Sequence, residues 1–319
     1  MNLFLAKLRR RLLGISPEET TFAKRGFRLG VPGAQEHLEG IGRTFVDGYH
    51  AALETPALEQ LVPRLNAAPL GARGFAFEGA AMGLALLDRL TPWNRGRIAQ
   101  FLNGAGGAHC YMVYVGLGWM LARMGGSIEP VLAKLDPLLG WLAVDGLGFH
   151  EGFFHWQNYR DGQPAPRRLQ GYARRVFDLG LGRCLWFIEG CDTQAIPPTI
   201  ASFPEERRGD LWTGIGLAAT YAGEAEPEQL RTFLTTAGPF HAHLAQGAAF
   251  AAKARQRAGN LTPYTDRACR ILCGMTPIEA ARITDDALEN LPNHEADPGF
   301  EVWRRRIQER FLHATRPIP

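Results

Sequence analysis

Helix-start signals recur along this chain while the alternation that builds strands is nearly absent, and these two facts together limit the fold more than any other feature. Ser16-Pro17-Glu18-Glu19 offers an N-cap hydroxyl, proline at the first helical position and glutamate three residues on, the pattern of a capping box. Ser202-Phe203-Pro204-Glu205 and Thr276-Pro277-Ile278-Glu279 follow the same grammar. Between Leu38 and Leu53 the apolar residues Leu38, Ile41, Phe45, Val46, Tyr49 and Leu53 fall at a helical period. Runs of alternating β-branched residues are lacking, so a sheet has little to be made from. The expectation is an all-α protein, a single helical domain over residues 1–319. Within it we expect an N-terminal amphipathic segment over 1–30, a helical core over 74–250 and C-terminal helices over 276–319.

The core carries an internal echo. Gly74-Phe75 and Glu78-Gly79 are matched by Gly148-Phe149 and Glu151-Gly152, and Cys110 with Gly116 by Cys184 with Gly190. These offsets suggest a duplicated unit of about 74 residues, with helices brought close by glycine at matched positions. Repeated helical pairs stack into a solenoid or close into a ring with an apolar centre, and a ring would set equivalent positions around one cavity.

Balanced charge narrows the partners. With 35 basic and 32 acidic residues the net charge is +3, which supplies no concentrated basic face for nucleic acid. No run approaches the roughly 18 to 20 apolar residues of a membrane span. Met1 to Ile15 interleaves Leu3, Phe4, Leu8 and Leu12 with Lys7, Arg9, Arg10 and Arg11. That pattern is not a secretory signal; it reads as a terminal helix packed on its own domain, or as an amphipathic helix making peripheral contact with a membrane or partner through residues 1–15. The five cysteines, Cys110, Cys184, Cys191, Cys269 and Cys273, lie among apolar neighbours without a CxxC pair. They read as buried free thiols of a cytoplasmic protein.

Chemistry concentrates in Asp145–Trp156, DGLGFHEGFFHW. Glu151 and His155, four apart, share a helix face and are the leading catalytic and metal-ligand pair, with His150 and Glu78 in support. A carboxylate and a histidine so spaced suit an iron site if other helices supply ligands, for which Glu78, His109, Glu189, Asp192, His241 and His243 are candidates. The HExxxH spacing does not match the HExxH of zinc peptidases. No dinucleotide fingerprint, P-loop or GxSxG occurs in a usable context. Asp285-Asp286-Ala287-Leu288-Glu289 and Arg304-Arg305-Arg306 read as solvated helix faces. Trp119, Phe149, Phe153, Phe154, Trp156, Trp186 and Phe187, set beside glycines, suit either a core or the wall of an apolar pocket for flat or polyunsaturated ligands.

The stretches LRRRLLGISPEETTFAKRGF (Leu8–Phe27), DGLGFHEGFFHW (Asp145–Trp156), GRCLWFIEGCD (Gly182–Asp192) and DLWTGIGLAATYAG (Asp210–Gly223) resemble the UnbL-like bacterial family. Its members are proteins of unknown function encoded beside enediyne polyketide synthases and related specialised-metabolite clusters. The resemblance implies an accessory step on a linear polyene, in the company of other biosynthetic proteins, and carries no established catalytic residues. Three mechanisms follow as expectations: iron-dependent oxidative or rearranging chemistry, metal-free cyclisation with a buried carboxylic acid as proton donor, and non-catalytic binding of an apolar intermediate or partner proteins. All three turn on Glu151, expected with His155 to face the largest apolar cavity.

Overall fold

Seven long helices each carry a glycine where the neighbouring helix comes closest. They are α2 (Ala34–Glu54), α3 (Arg73–Leu90), α4 (Cys110–Met124), α5 (Leu142–His155), α6 (Tyr172–Ile188), α7 (Glu205–Tyr221) and α8 (His241–Ala258), preceded by α1 (Leu3–Leu13). The glycines are Gly48, Gly79, Gly116, Gly146, Gly180, Gly214 and Gly247, spaced 30 to 37 residues apart. A Cβ on Gly146 would overlap the Val115 carbonyl of α4, and one on Gly180 the Asp145 carbonyl of α5. Backbone therefore lies against backbone along the whole row, an approach that only glycine permits.

These observations come from a computed structural model that describes residues 3–91, 93, 95–291 and 297–314. Three quarters of the chain is helical (75%), with no strand among the described residues, as the capping signals and missing alternation lead one to expect. The extreme ends of the expected 1–30 and 276–319 segments lie outside the described residues.

Successive helices of the row run parallel. Near their starts, Trp141 of the turn into α5 packs on Tyr172 of α6, and near their ends Phe153 packs on Phe187. Likewise Arg175 pairs with Asp210 at the start of α6 and α7, while past the end of α7 Trp186 reaches the Gly223 carbonyl. Parallel neighbours require crossovers, and these hold short outer helices such as Leu58–Asn66, Arg97–Asn103, Ile196–Ala201 and Pro227–Thr236. The row curls on itself. His37 near the start of α2 hydrogen-bonds the Ala222 carbonyl beyond the end of α7 (2.7 Å), and Arg255 near the end of α8 donates to the Gly71 carbonyl before α3. Helices α9 (Pro277–Asp286) and α10 (Gly299–Ala314) cover α8, with Trp303 donating to the Thr284 carbonyl at 2.7 Å.

The structural unit is thus one long helix with its crossover, about half the expected 74-residue unit. Cys110 opens α4, whereas Cys184 lies deep in α6. Glu78 precedes the contact glycine of α3, whereas Glu151 lies in the last turns of α5. In the glycine register the counterpart of Glu78 is Asp145, which precedes Gly146. The 74-residue echo spans roughly two units but misaligns their heights.

Local signals behaved unevenly. Thr276 and Glu279 form a full capping box at the start of α9. Ser16 caps only the 3-10 turn Pro17–Thr20, and the Ser202 hydroxyl turns back to Thr199 while α7 begins after Pro204 without a side-chain cap. All five cysteines are buried and free.

Candidate active site

The curl surrounds a narrow, partly open cavity whose wall draws on α2 through α7. Its sides are aromatic and aliphatic: Phe45 and Val46 from α2, Phe75 from α3, Met112 and Trp119 from α4, Phe149 and Phe153 from α5, Phe187 from α6 and Leu217 from α7. The segment after α1 closes one side through Ile15, Glu19 and Thr20. That segment is tied down by the Phe27–Phe153 edge contact at 5.3 Å, by Arg25 over the Phe154 ring and by backbone bonds from Arg28 and Val31 to the carbonyls of Ile188 and Gly190.

Beyond Glu19 and Thr20 of that closing segment, three polar side chains interrupt this wall: Glu78, Arg183 and Tyr221. Glu78 is fully enclosed, and its Oε1 accepts from the Trp119 indole N–H at 2.9 Å. Arg183 lies over the Phe149 ring at 4.8 Å and pairs with buried Asp145 at 3.1 Å. Neither Asp145 oxygen has a well-aligned hydrogen bond, Arg183 Nε is without a partner among the described residues, and the Tyr221 hydroxyl lies near the Asn260 side chain without a well-aligned bond. Asp145 and Glu78 directly precede the contact glycines Gly146 and Gly79, and both are buried.

Two buried acids beside one guanidinium cannot both be charged at low cost. Burial raises the Glu78 carboxyl to about 7, against the pull of Arg183 and the Trp119 hydrogen bond. Burial raises Asp145 to about 6, offset by Arg183 and Arg304. The geometry favours the charge on Asp145, which touches Arg183, and the proton on Glu78, whose Oε2 is left to carry it. A neutral carboxylic acid then faces an apolar cavity. Burial also raises the Tyr221 phenol to about 12, keeping it neutral.

The residues singled out in the sequence fare differently. Glu78 lies in the cavity wall. Glu151 does not: it accepts from the Tyr159 hydroxyl at 2.8 Å beside Arg168, on the far side of α5 from Phe149 and Phe153. His155 is exposed, so the pair expected to face the cavity points away from it. Four residues do share a helix face, but α5 turns its aromatic face inward, and Glu151 with His155 falls on the other. His150 is buried against Trp119 and Phe154, and burial, with His155 adding to it, lowers it to about 3, so it is neutral.

The other proposed ligands scatter. His109 stacks on Phe77 and is lowered to about 4 by burial. Glu189 receives Arg28 and the Thr199 hydroxyl, and Asp192 caps the turn at Gln194 and Ala195. His241 bonds the Gly238 carbonyl, and His243 packs on Phe240. Among the described residues no three His, Cys, Asp or Glu side chains gather where they could hold one metal ion. The expected iron ligands therefore do not converge.

Asp145, Arg183, Tyr221 and Trp119 were not singled out as site residues. The usable signal was an isolated charge inside an apolar helical run, as in LAVDGLGF and LGLGRCLWF. Arg304 went astray in the opposite direction. Read as solvated, it is fully buried against Asp210, Glu301 and Tyr172, while Arg305 beside it is exposed. Asp285, Asp286 and Glu289 are exposed as expected, with Asp285 held by Lys253.

Fold and site together define a class: a curled row of parallel helices around an apolar cavity that holds a buried acid. The chain belongs to the family described as "Protein of unknown function (DUF1702)", whose model matches residues 4–311. Comparison with curated proteins and with solved structures finds no match.

Proposed function

We propose that the cavity binds a hydrophobic, polyene-like substrate and that Glu78, held neutral, gives it a proton in a redox-neutral isomerisation or cyclisation. The observation that carries this reading is a fully enclosed carboxyl group in an aromatic wall, with one indole donor and with its pKa raised to about 7 by burial. The step balances without a co-reactant. An alkene π pair takes the Glu78 proton and forms a C–H bond, leaving an allylic cation. A neighbouring π pair then closes a C–C bond, or the cation simply loses a proton from an adjacent carbon. In either course a proton returns to the Glu78 carboxylate. The faces of Phe149, Phe153 and Trp119 stabilise the cation through their ring quadrupoles. Asp145 balances the Arg183 charge that would otherwise oppose it.

The resemblance to enediyne-associated proteins supports the setting, an accessory step in assembling a specialised metabolite of the enediyne or polyketide type alongside other biosynthetic proteins. An oxidative reaction at an iron held by Glu151 and His155 draws no support from their placement. Linear conjugated polyenes of graded length, incubated with the protein in deuterated water, test the proposal. One chain length should acquire deuterium with wild type and lose that incorporation with a folded Glu78→Gln variant. Binding without incorporation, unchanged by Glu78→Gln, would make the protein a non-catalytic carrier of the polyene.

A further inference from the structure

Helix α1 exposes the face that an amphipathic helix usually hides. Phe4 is 71% exposed and Leu12 69%, with Leu5 and Leu8 also in solvent, while Ala6 is buried. Residues 4, 8 and 12 form a single stripe along the helix, with Leu5 at its edge. Lys7 and Arg11 flank the stripe on one side and Arg9 on the other. Arg10, itself exposed, pairs with Glu54 of α2, and Leu13 packs against the core. No acidic residue occurs before Glu18.

Further exposed apolar groups lie at the same end of the molecule. The Arg10–Glu54 pair sets α1 beside the C-terminal end of α2. The neighbouring parallel helices end there with exposed Leu90 and Met124, and Trp93, just past α3, is 82% exposed. Arg89 and Arg95 beside them are exposed as well. Among the described residues no helix is long and apolar enough to cross a membrane.

We propose that this face of α1, with Leu90, Trp93 and Met124 at the same end, docks the protein on an anionic lipid surface. An apolar stripe edged by cations on both sides fits acyl chains below and phosphate headgroups beside them. A second copy of the chain fits poorly, because pairing two such helices sets Lys7, Arg9 and Arg11 against their like. Docking also places the segment that follows α1, and closes the cavity through Ile15, Glu19 and Thr20, next to the membrane. An apolar substrate could then pass from lipid to cavity without crossing water.

Vesicle flotation of the full chain tests this. The protein should float with vesicles of equal parts phosphatidylcholine and phosphatidylglycerol and not with phosphatidylcholine alone, and added salt should weaken the association. The double substitution Phe4→Asp with Leu8→Asp should cut partitioning about tenfold or more. Its helical content and melting should be unchanged, since both side chains are exposed. Trp93→Ala should reduce partitioning a few-fold. Failure to float with anionic vesicles, or flotation indifferent to the double substitution, would overturn the proposal. So would a dimer seen by light scattering that the double substitution dissolves in a protein that binds no vesicles. Glu78→Gln should float like wild type, so this proposal and the proton-transfer reading stand or fall separately.

Discussion

A carboxyl group ringed by Trp119, Phe149 and Phe153 has to be neutral, or have a cation beside it, to stay folded inside a protein. In this site Arg183 is the cation, and Asp145 is closer to it than Glu78 is, so the proton settles on Glu78. A pH signature follows. The folded form holds the Glu78 proton to about pH 7, whereas an unfolded glutamate releases it near 4.5. Between those values the unfolded state has shed a proton that the folded state keeps, so folding becomes less favourable as pH rises. Glu78→Gln removes that cost. It should therefore match wild type near pH 4 and become more stable than it by roughly 2–3 kcal/mol at pH 8, measured by denaturant unfolding. Asp145→Asn should act in the opposite sense, leaving the Arg183 charge without its partner at a cost of about 3–5 kcal/mol. It should also draw the Glu78 proton off at lower pH, since Arg183 is then free to stabilise the carboxylate. Tyr221→Phe removes a buried hydroxyl that makes no well-aligned hydrogen bond and should change stability by no more than about 1 kcal/mol. A larger loss would show that the hydroxyl is bonded after all.

At the scale of the helices, glycine sets the geometry. A methyl group at Gly146 or Gly180 meets a backbone carbonyl, which cannot rotate away as a side chain could. Gly146→Ala and Gly180→Ala should each cost more than about 2 kcal/mol or prevent folding. Gly40, in α2 and facing only the far end of Arg43, should instead gain about 0.5–1 kcal/mol on change to alanine. Thermal melts of the three variants would separate close packing from generic helix propensity. Helix type was legible in the sequence because the apolar period of Leu38–Leu53 and the Thr276–Glu279 box are local. The repeat was legible only in part. Glycine recurs so often in this chain that Gly74, Gly79, Gly148 and Gly152 matched at the wrong period, and only contact with a neighbouring helix shows which glycines are equivalent.

Over the whole molecule, the curl decides which face of each helix is inside. Spacing placed Glu151 and His155 on one face of α5, and spacing alone could not show that the face with Phe149 and Phe153 is the one turned to the cavity. Glu78 was found through a repeat that proved misregistered, whereas its true counterpart Asp145 stood unremarked at the head of the richest motif. Arg304 read as a solvated cation and Arg183 was not singled out, yet tertiary packing buries both. The cavity, its buried acid and the end with exposed apolar residues share one arrangement, in which parallel helices bring their C-terminal ends together and α1 lies beside the end of α2. Infrared difference spectroscopy of the carboxylic C=O stretch as a function of pH tests the central claim most directly. A protonated-acid band that titrates near pH 7 in wild type, persists in Glu151→Gln and disappears in Glu78→Gln is the expected result. A band absent at pH 6, or one that survives Glu78→Gln unchanged, would contradict it.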